Sequence, residues 1–191
     1  ILDKYYDQFL SLGISYNLNQ FRLEIENFNV PDIGVKDDRA VINHNFDVSV
    51  LYRFQDFYFS FNASNILNKN LDKFNINEPG KLRNYQFYTG YVFRENRNSA
   101  FEVEPSAYVQ YFENDGRSST DLNVKLRWKN NNNDYYWAGL SYRFLNDQMM
   151  EPINIGPMAG LKKSNFYFAY SYQLTTNELL AYNSGTHMIT L

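Results

Sequence analysis

Charged side chains recur at every second position in several stretches of this chain, a spacing that could build a network of ion pairs. The candidates are Arg22, Glu24, Glu26, Asp47, Arg53, Glu102, Glu104, Lys125, Arg127 and Arg143. Successive side chains of a β-strand point to opposite faces, so alternate charges share one face. Such a network could hold a plug, line an aqueous pore or grip a passenger polypeptide, and the plainer alternative is that it solvates a wide interior. The mixed signs argue against a strongly ion-selective pore.

The strands that must position these charges are read from the apolar residues between them. In NFDVSVLYRF, residues 45–54, every second residue is apolar and most of the others are polar or charged. That pattern predicts a strand with one apolar and one polar face. It recurs along most of the chain, with apolar sets that include Leu10, Leu12, Ile14, Tyr16; Phe21, Leu23, Ile25; Phe57, Phe59, Phe61; Tyr85, Phe87; Val103, Val109; Leu122, Val124, Leu126, Trp128; Leu140, Tyr142; and Phe166, Phe168, Tyr170.

Composition limits the class of protein. The 191 residues fit one domain, residues 1–191, and no shift in composition marks a boundary. Aromatic residues make up 18% of the chain, although its mean hydropathy is -0.54. The absence of cysteine excludes disulfides and thiolate metal sites, and a net charge of -3 disfavours nucleic acid as a partner.

The alternation predicts a β-sheet that is aromatic outside and charged inside, which suits lipid rather than water. No stretch approaches the roughly 20 apolar residues of a membrane-spanning helix, whereas strands of about 10 residues match the height of an outer-membrane barrel. The connections alternate between short and long, beginning with a short turn at residues 17–20. We therefore predict an antiparallel transmembrane β-barrel of the bacterial outer membrane, with short turns in the periplasm and long loops outside.

Three residues fit this pattern less well. Pro105 and Pro157 lie inside strand patterns, where a missing N–H breaks the ladder, so we expect a bulge or an early strand end at each. Trp137 has the wrong parity for lipid if Leu140 and Tyr142 point outward.

Candidates for catalysis and metal binding are few. His44 and His187 each stand alone at a strand end, and we interpret them as loop or interfacial residues rather than imidazole bases or ligands. The segment from Glu113 to Gly116, with Asp121, weakly suggests a calcium loop, but Asp-Gly between strands more often forms a hairpin turn. Residues 130–134 likewise favour a solvated turn. We expect no catalytic residue, no cofactor and no metal.

The strand count suggests a piece of a larger barrel. About ten full strands and a short final segment, 187–191, are predicted, and unpaired strand edges are not viable in lipid. The chain begins at Ile1 without a charged or apolar leader. We expect either a removed signal peptide or, as we favour, an upstream N-terminus, with N-terminal strands and the last few residues missing.

The C-terminal segment carries a family resemblance. The pieces IGPMAGLK (residues 155–162), NFYFAYSYQ (165–173) and YNSGTHMITL (182–191), with looser pieces at 13–18 and 30–35, resemble the PorP/SprF family of outer-membrane proteins linked to type IX secretion and gliding. The resemblance implies a barrel of about 14 strands, of which 10–11 would be present here. It also implies partners among secreted surface proteins, commonly adhesins with a C-terminal sorting domain, or the lipoprotein ring of the secretion machine.

Three functions follow as alternatives. The first is a non-enzymatic barrel that retains a secreted surface protein at the cell surface through its external loops or its lumen. The second is a passive diffusion channel, and the third is an outer-membrane hydrolase that depends on His44 and His187.

Overall fold

The computed structural model describes residues 7–23, 39–68, 83–96, 99–130, 134–176 and 185–191. In this part of the chain the fold is all-β, a single sheet of ten antiparallel strands in sequence order. The strands are β1 (Gln8–Leu23), β2 (Arg39–Phe54), β3 (Phe57–Ser64), β4 (Asn84–Tyr91), β5 (Phe101–Phe112), β6 (Ser118–Lys129), β7 (Tyr135–Leu145), β8 (Pro152–Lys163), β9 (Phe166–Thr175) and β10 (Thr186–Thr190). Within the described residues, no helix is long and apolar enough to cross a membrane.

The two faces of the sheet separate apolar from polar side chains as the alternation predicts. Residues opposite each other in neighbouring strands share a face, and the apolar sets meet in register: Leu12 pairs with Val50, and Leu122 with Tyr142. We call this side the apolar face. Leu12 and Ile14 on it are 75% and 77% exposed, so these side chains are not packed into a core.

Aromatic rings form two rows across neighbouring strands of the apolar face, one from β2 to β4 and one from β3 to β5. The rings of Tyr52 and Phe59 lie 6.3 Å apart, those of Phe59 and Phe87 5.8 Å, and those of Tyr85 and Tyr111 6.3 Å. Such contacts are within the range of favourable ring pairs. Together with the exposed aliphatic side chains, they give an outer surface suited to hydrocarbon.

The expected turn at residues 17–20 is wrong. β1 continues through Leu23 and pairs with β2 along its whole length, so the first connection is residues 24–38. Arg22 therefore lies within β1, opposite Ala40 of β2. The sequence misleads here because Asn17, Asn19 and Gln20 are turn-like in type, while the long pairing with β2 keeps them extended.

The connections differ at the two edges of the sheet. One edge carries residues 24–38, 65–83, 113–117, 146–151 and 176–185, and the other carries 55–56, 92–100, 130–134 and 164–165. The second set is shorter on the whole, but 92–100 is an exception to the strict alternation we expected. Part of it still pairs, since Phe93 and Val103 exchange two backbone hydrogen bonds.

Both prolines interrupt a ladder without ending their own strand. β4 and β5 pair as far as Gly90 and Ser106, and pairing resumes at Phe93 and Val103 in the same register. Pro105 falls in this gap, where the N–H it lacks would have bonded to β4. Pro157 falls in the corresponding gap between β8 and β9. The one register shift of this region lies instead at Arg143 and Phe144, opposite the start of β8.

Candidate functional site

The polar face carries a group of mutually paired charges near the edge of shorter connections. Glu102 and Glu104 occupy alternate positions of β5, and β6 places Arg127 and Lys125 directly opposite them. The direct pairs are Arg127 Nη1 to Glu102 Oε2 at 2.8 Å and Lys125 Nζ to Glu104 Oε1 at 2.9 Å. Arg127 also reaches diagonally, with Nη2 2.7 Å from Glu104 Oε2. One guanidinium therefore bridges two carboxylates, which its several N–H donors in a fixed plane allow.

Further charges extend this group to two neighbouring connections. Lys129 Nζ contacts Glu102, and Arg94 Nη1 lies 3.5 Å from Glu102 Oε1. Arg94 also pairs with Asp56, in the turn between β2 and β3. We call these residues the ionic cluster: Asp56, Arg94, Glu102, Glu104, Lys125, Arg127 and Lys129. Its side chains connect the β2–β3, β4–β5 and β6–β7 hairpins.

The carboxylates at the centre of the ionic cluster are shielded from solvent. Glu102 is 1% exposed and Glu104 6%. Buried carboxylates are tolerated only where cations and hydrogen-bond donors surround them, and here each has at least two cations. Glu102 and Glu104 are thus paired within the ionic cluster, whereas the Nε atoms of Arg94 and Arg127 are buried without a hydrogen-bond partner.

Tyrosines border the ionic cluster. The Tyr58 hydroxyl donates to Glu104 Oε1 at 2.9 Å and lies 3.2 Å from the Tyr88 hydroxyl. Gly90 makes room for this ring, because a Cβ at position 90 would lie 2.3 Å from the Tyr58 hydroxyl oxygen. Glycine is required at this point by close approach rather than by backbone conformation.

We expect Gly90→Ala to destabilise the protein by about 1–3 kcal/mol, since Tyr58 must leave its hydrogen bonds to admit the methyl group. Urea unfolding of the refolded protein in detergent micelles measures the effect. In a Tyr58→Ala background, which lacks both the hydroxyl and the ring carbon Cζ that would lie 2.5 Å from the new Cβ, the same glycine substitution should have a smaller effect. Equal effects in both backgrounds would contradict the assigned role of the Tyr58 side chain.

The remaining predicted charges lie apart from the ionic cluster. Asp121 and Arg143 form a separate bidentate pair across β6 and β7, with contacts of 2.5 and 2.6 Å. Asp47 accepts hydrogen bonds from the Asn17 amide and the Asn65 backbone. Arg53 is exposed, and its Nε donates to the Gln55 carbonyl. Glu24 and Glu26 lie outside the described residues, as does the side chain of Arg22.

Beside the ionic cluster the polar face has a partly open cavity of about 740 Å³. Its lining is mixed, with apolar Phe9 and Leu51 next to Arg53, Tyr88, Glu104 and Arg127. Phe9 and Leu51 are 42% and 39% exposed, although they lie on the face that is otherwise polar. The alternation does not predict this apolar patch, because Leu51 occupies a position of its strand that is otherwise polar.

Trp137 belongs to the polar face, which explains its unexpected parity. Its ring lies 5.7 Å from Lys125 Nζ, a cation–π distance. Gly160 on β8 leaves space for it, since a Cβ there would lie 2.5 Å from the Trp137 Nε1. Trp137 therefore packs among charges, and only Trp128, 46% exposed, lies on the apolar face.

A second buried polar side chain, Asn45, binds the start of the connection at residues 65–83. Asn45 is fully buried on β2, where its amide donates to the Leu67 carbonyl at 3.2 Å and accepts from the Leu67 backbone N–H at 2.9 Å. This side chain thus acts as a substitute strand partner for the chain leaving β3. Sequence reasoning missed it, since one asparagine among many gives no signal of burial.

The two histidines lie on the apolar face, each beside a tyrosine. The His44 Nδ1 bonds to the Tyr16 hydroxyl, and the His187 Nδ1 lies 2.7 Å from the Tyr170 hydroxyl. His187 also stacks on Tyr172 with ring centres 4.6 Å apart. Among the described residues, each imidazole therefore bonds to a tyrosine hydroxyl.

The three carboxylates that weakly suggested a calcium loop each pair with a different arginine. Glu113 pairs with Arg83, Asp115 with Arg117, and Asp121 with Arg143. Desolvation would raise the Asp115 pKa, but hydrogen bonds from Arg117 outweigh it and lower that pKa below its ordinary value. Among the described residues, no group of three or more carboxylates or histidines could hold a metal ion.

An antiparallel sheet with an exposed apolar face, and with ion pairs between neighbouring strands on the opposite face, defines a protein of the transmembrane β-barrel class. The chain matches the family of type IX secretion system membrane proteins PorP/SprF over residues 2–191 and belongs to that family. It is accordingly a type IX secretion protein of the outer membrane, from a family of β-barrels. No curated protein and no solved structure matches the chain.

Proposed function

We propose that this protein is a non-enzymatic barrel that binds a secreted surface protein through that protein's C-terminal sorting domain and retains it at the cell surface. Family membership over residues 2–191 is the observation that carries the proposal. The apolar face supports an embedded barrel, and the edge residues of β1 and β10 would pair with further strands to close it.

The proposed orientation follows the lengths of the connections. In outer-membrane barrels the short turns face the periplasm and the longer loops face outward. The edge with residues 24–38, 65–83, 113–117, 146–151 and 176–185 is then extracellular, and the ionic cluster lies toward the periplasmic end of the interior. Because the carboxylates of that cluster are already paired, we place the contact with the secreted protein at the opposite, outer edge.

The test is to identify the partner directly. The full-length protein, tagged and extracted from its own cells in mild detergent, should bring a large surface protein in near-stoichiometric amount, identified by mass spectrometry. A tagged, unrelated outer-membrane barrel from the same cells is the control. Recovery of the barrel alone, or of the same proteins with the control, would overturn the proposal. Recovery of only the periplasmic lipoprotein ring would favour that alternative partner.

A passive channel is the second candidate, favoured by the cavity of about 740 Å³ on the polar face. Planar-bilayer conductance of the full-length protein separates the two functions. A barrel that holds a passenger should be silent or plugged, whereas a diffusion channel should give steady open conductance.

The proposal that the protein is not an enzyme has its own support. His44 and His187 lie on the apolar face, away from the ionic cluster, and each forms a hydrogen bond with a tyrosine hydroxyl. A hydrolytic activity that is lost when both histidines are replaced by glutamine would overturn it.

A further inference from the structure

The turn between β7 and β8 has an unusual pair of residues at its tip. Met149 and Met150 have φ angles of 50° and 60°, and the Glu151 N–H donates to the Gln148 carbonyl at 2.9 Å. Positive φ at both central residues, closed by this hydrogen bond, corresponds to a type I′ turn. Such turns strongly prefer Asn-Gly or Asp-Gly, because those residues tolerate left-handed backbone.

Methionine is a poor choice for this backbone. A bulky residue with positive φ is an outlier, since its Cβ crowds the following peptide. Packing does not compensate, because Met149 is 102% exposed and Met150 68%. The two side chains therefore contribute little to the fold that presents them, and persistent backbone strain is found most often where a residue serves a function.

The turn itself is firmly held. The Asn146 backbone N–H donates to the Ser118 carbonyl, and its side-chain amide donates to the Ser118 hydroxyl, both at 2.9 Å. The Thr120 hydroxyl donates to the Asn146 side-chain oxygen at 2.9 Å. The Leu145 N–H donates to the Glu151 carbonyl at the same distance. These bonds fix the turn to the first residues of β6, so both methionines are held out from a rigid base.

We propose that Met149 and Met150 form an apolar anchor that inserts into an apolar pocket on the secreted partner. This rests on the proposed function and names the contact that retains the partner. Methionine is flexible and polarisable, and it fits irregular apolar pockets well. Asp147 and Glu151 flank the pair, and the acidic flank is complementary to a pocket rimmed by lysine or arginine.

The decisive variant improves the turn while it removes the anchor. Met149→Asn together with Met150→Gly supplies the residues that a type I′ turn prefers. The protein should unfold at the same or a higher urea concentration, while recovery of the partner in the native pull-down falls at least tenfold. Asn114→Gln, in an exposed turn at the same edge, is the matched control and should leave recovery unchanged.

Peroxide footprinting gives an independent measurement. In the purified barrel without partner, Met149 and Met150 should be oxidised faster than the half-buried Met158, and in the complex they should be protected. Protection in the partner-free barrel, in micelles or vesicles, would point to a second copy or to lipid and would overturn the inference. Undiminished recovery with the double variant would overturn it while the proposed function stands. If the wild-type protein recovers no partner, both fall.

Discussion

Glu102→Ala should destabilise the protein by about 3–5 kcal/mol, the largest effect we expect from any single substitution. Glu102 is 1% exposed and is contacted by Arg94, Arg127 and Lys129. Its removal leaves these cations close together, with Asp56 and Glu104 as the remaining carboxylates of the ionic cluster. The penalty arises mainly from the charges left without a partner rather than from the lost attraction itself.

Urea titration of the protein folded in micelles or vesicles measures this loss, and resistance to unfolding in SDS without heating gives a second reading. Asp115→Ala is the matched control, because Asp115 pairs with Arg117 in an exposed turn. Exposed ion pairs contribute little, so no measurable change is expected there. Equal effects of the two substitutions would mean that the ionic cluster is not a dry, interdependent group.

Val124→Arg should destabilise the membrane-embedded protein by about 2–4 kcal/mol, the value for arginine on the lipid face near mid-membrane. Val124 lies midway along β6, is 48% exposed and pairs with Leu140 on the apolar face. A charge at this position would have to lie in hydrocarbon or distort the bilayer around it.

Its neighbour provides the comparison. Asn123 lies on the polar face between Ser106 and Ser141, and Asn123→Arg should have a clearly smaller effect. Folding into lipid vesicles, followed by urea titration, measures both variants under one condition. If Asn123→Arg were the more damaging substitution, the assignment of the two faces would be reversed. If neither mattered in vesicles, the apolar face would not meet lipid at all.

Much of the fold follows from alternation alone. The period of two fixed which side chains share a face, and antiparallel pairing of neighbours then aligned the apolar sets of successive strands. The same reasoning placed Glu102, Glu104, Lys125 and Arg127 on one face, and the pairing of β5 with β6 brings them into contact.

The rest of the ionic cluster needed information that alternation does not carry. Asp56 belongs to a turn, so a strand pattern assigns it to neither face. Arg94 lies beyond the end of β4, and its one signal is that Tyr91 and Phe93 hold the apolar positions, which leaves Arg94 at a polar position. The end of β1 was misplaced for a related reason, since a local pattern does not show that the pairing with β2 continues through residues 17–20.

The sequence by itself determined that the chain forms strands with one apolar and one charged side, since that depends only on residue type and a local period of two. The tertiary structure decided which charges meet, that Asn45 is buried, what Trp137 packs against and which side chains the turns expose. Those outcomes depend on strand register and on contacts between residues far apart in sequence, such as Asp56 and Arg94. A local sequence pattern contains no information on register or on such contacts.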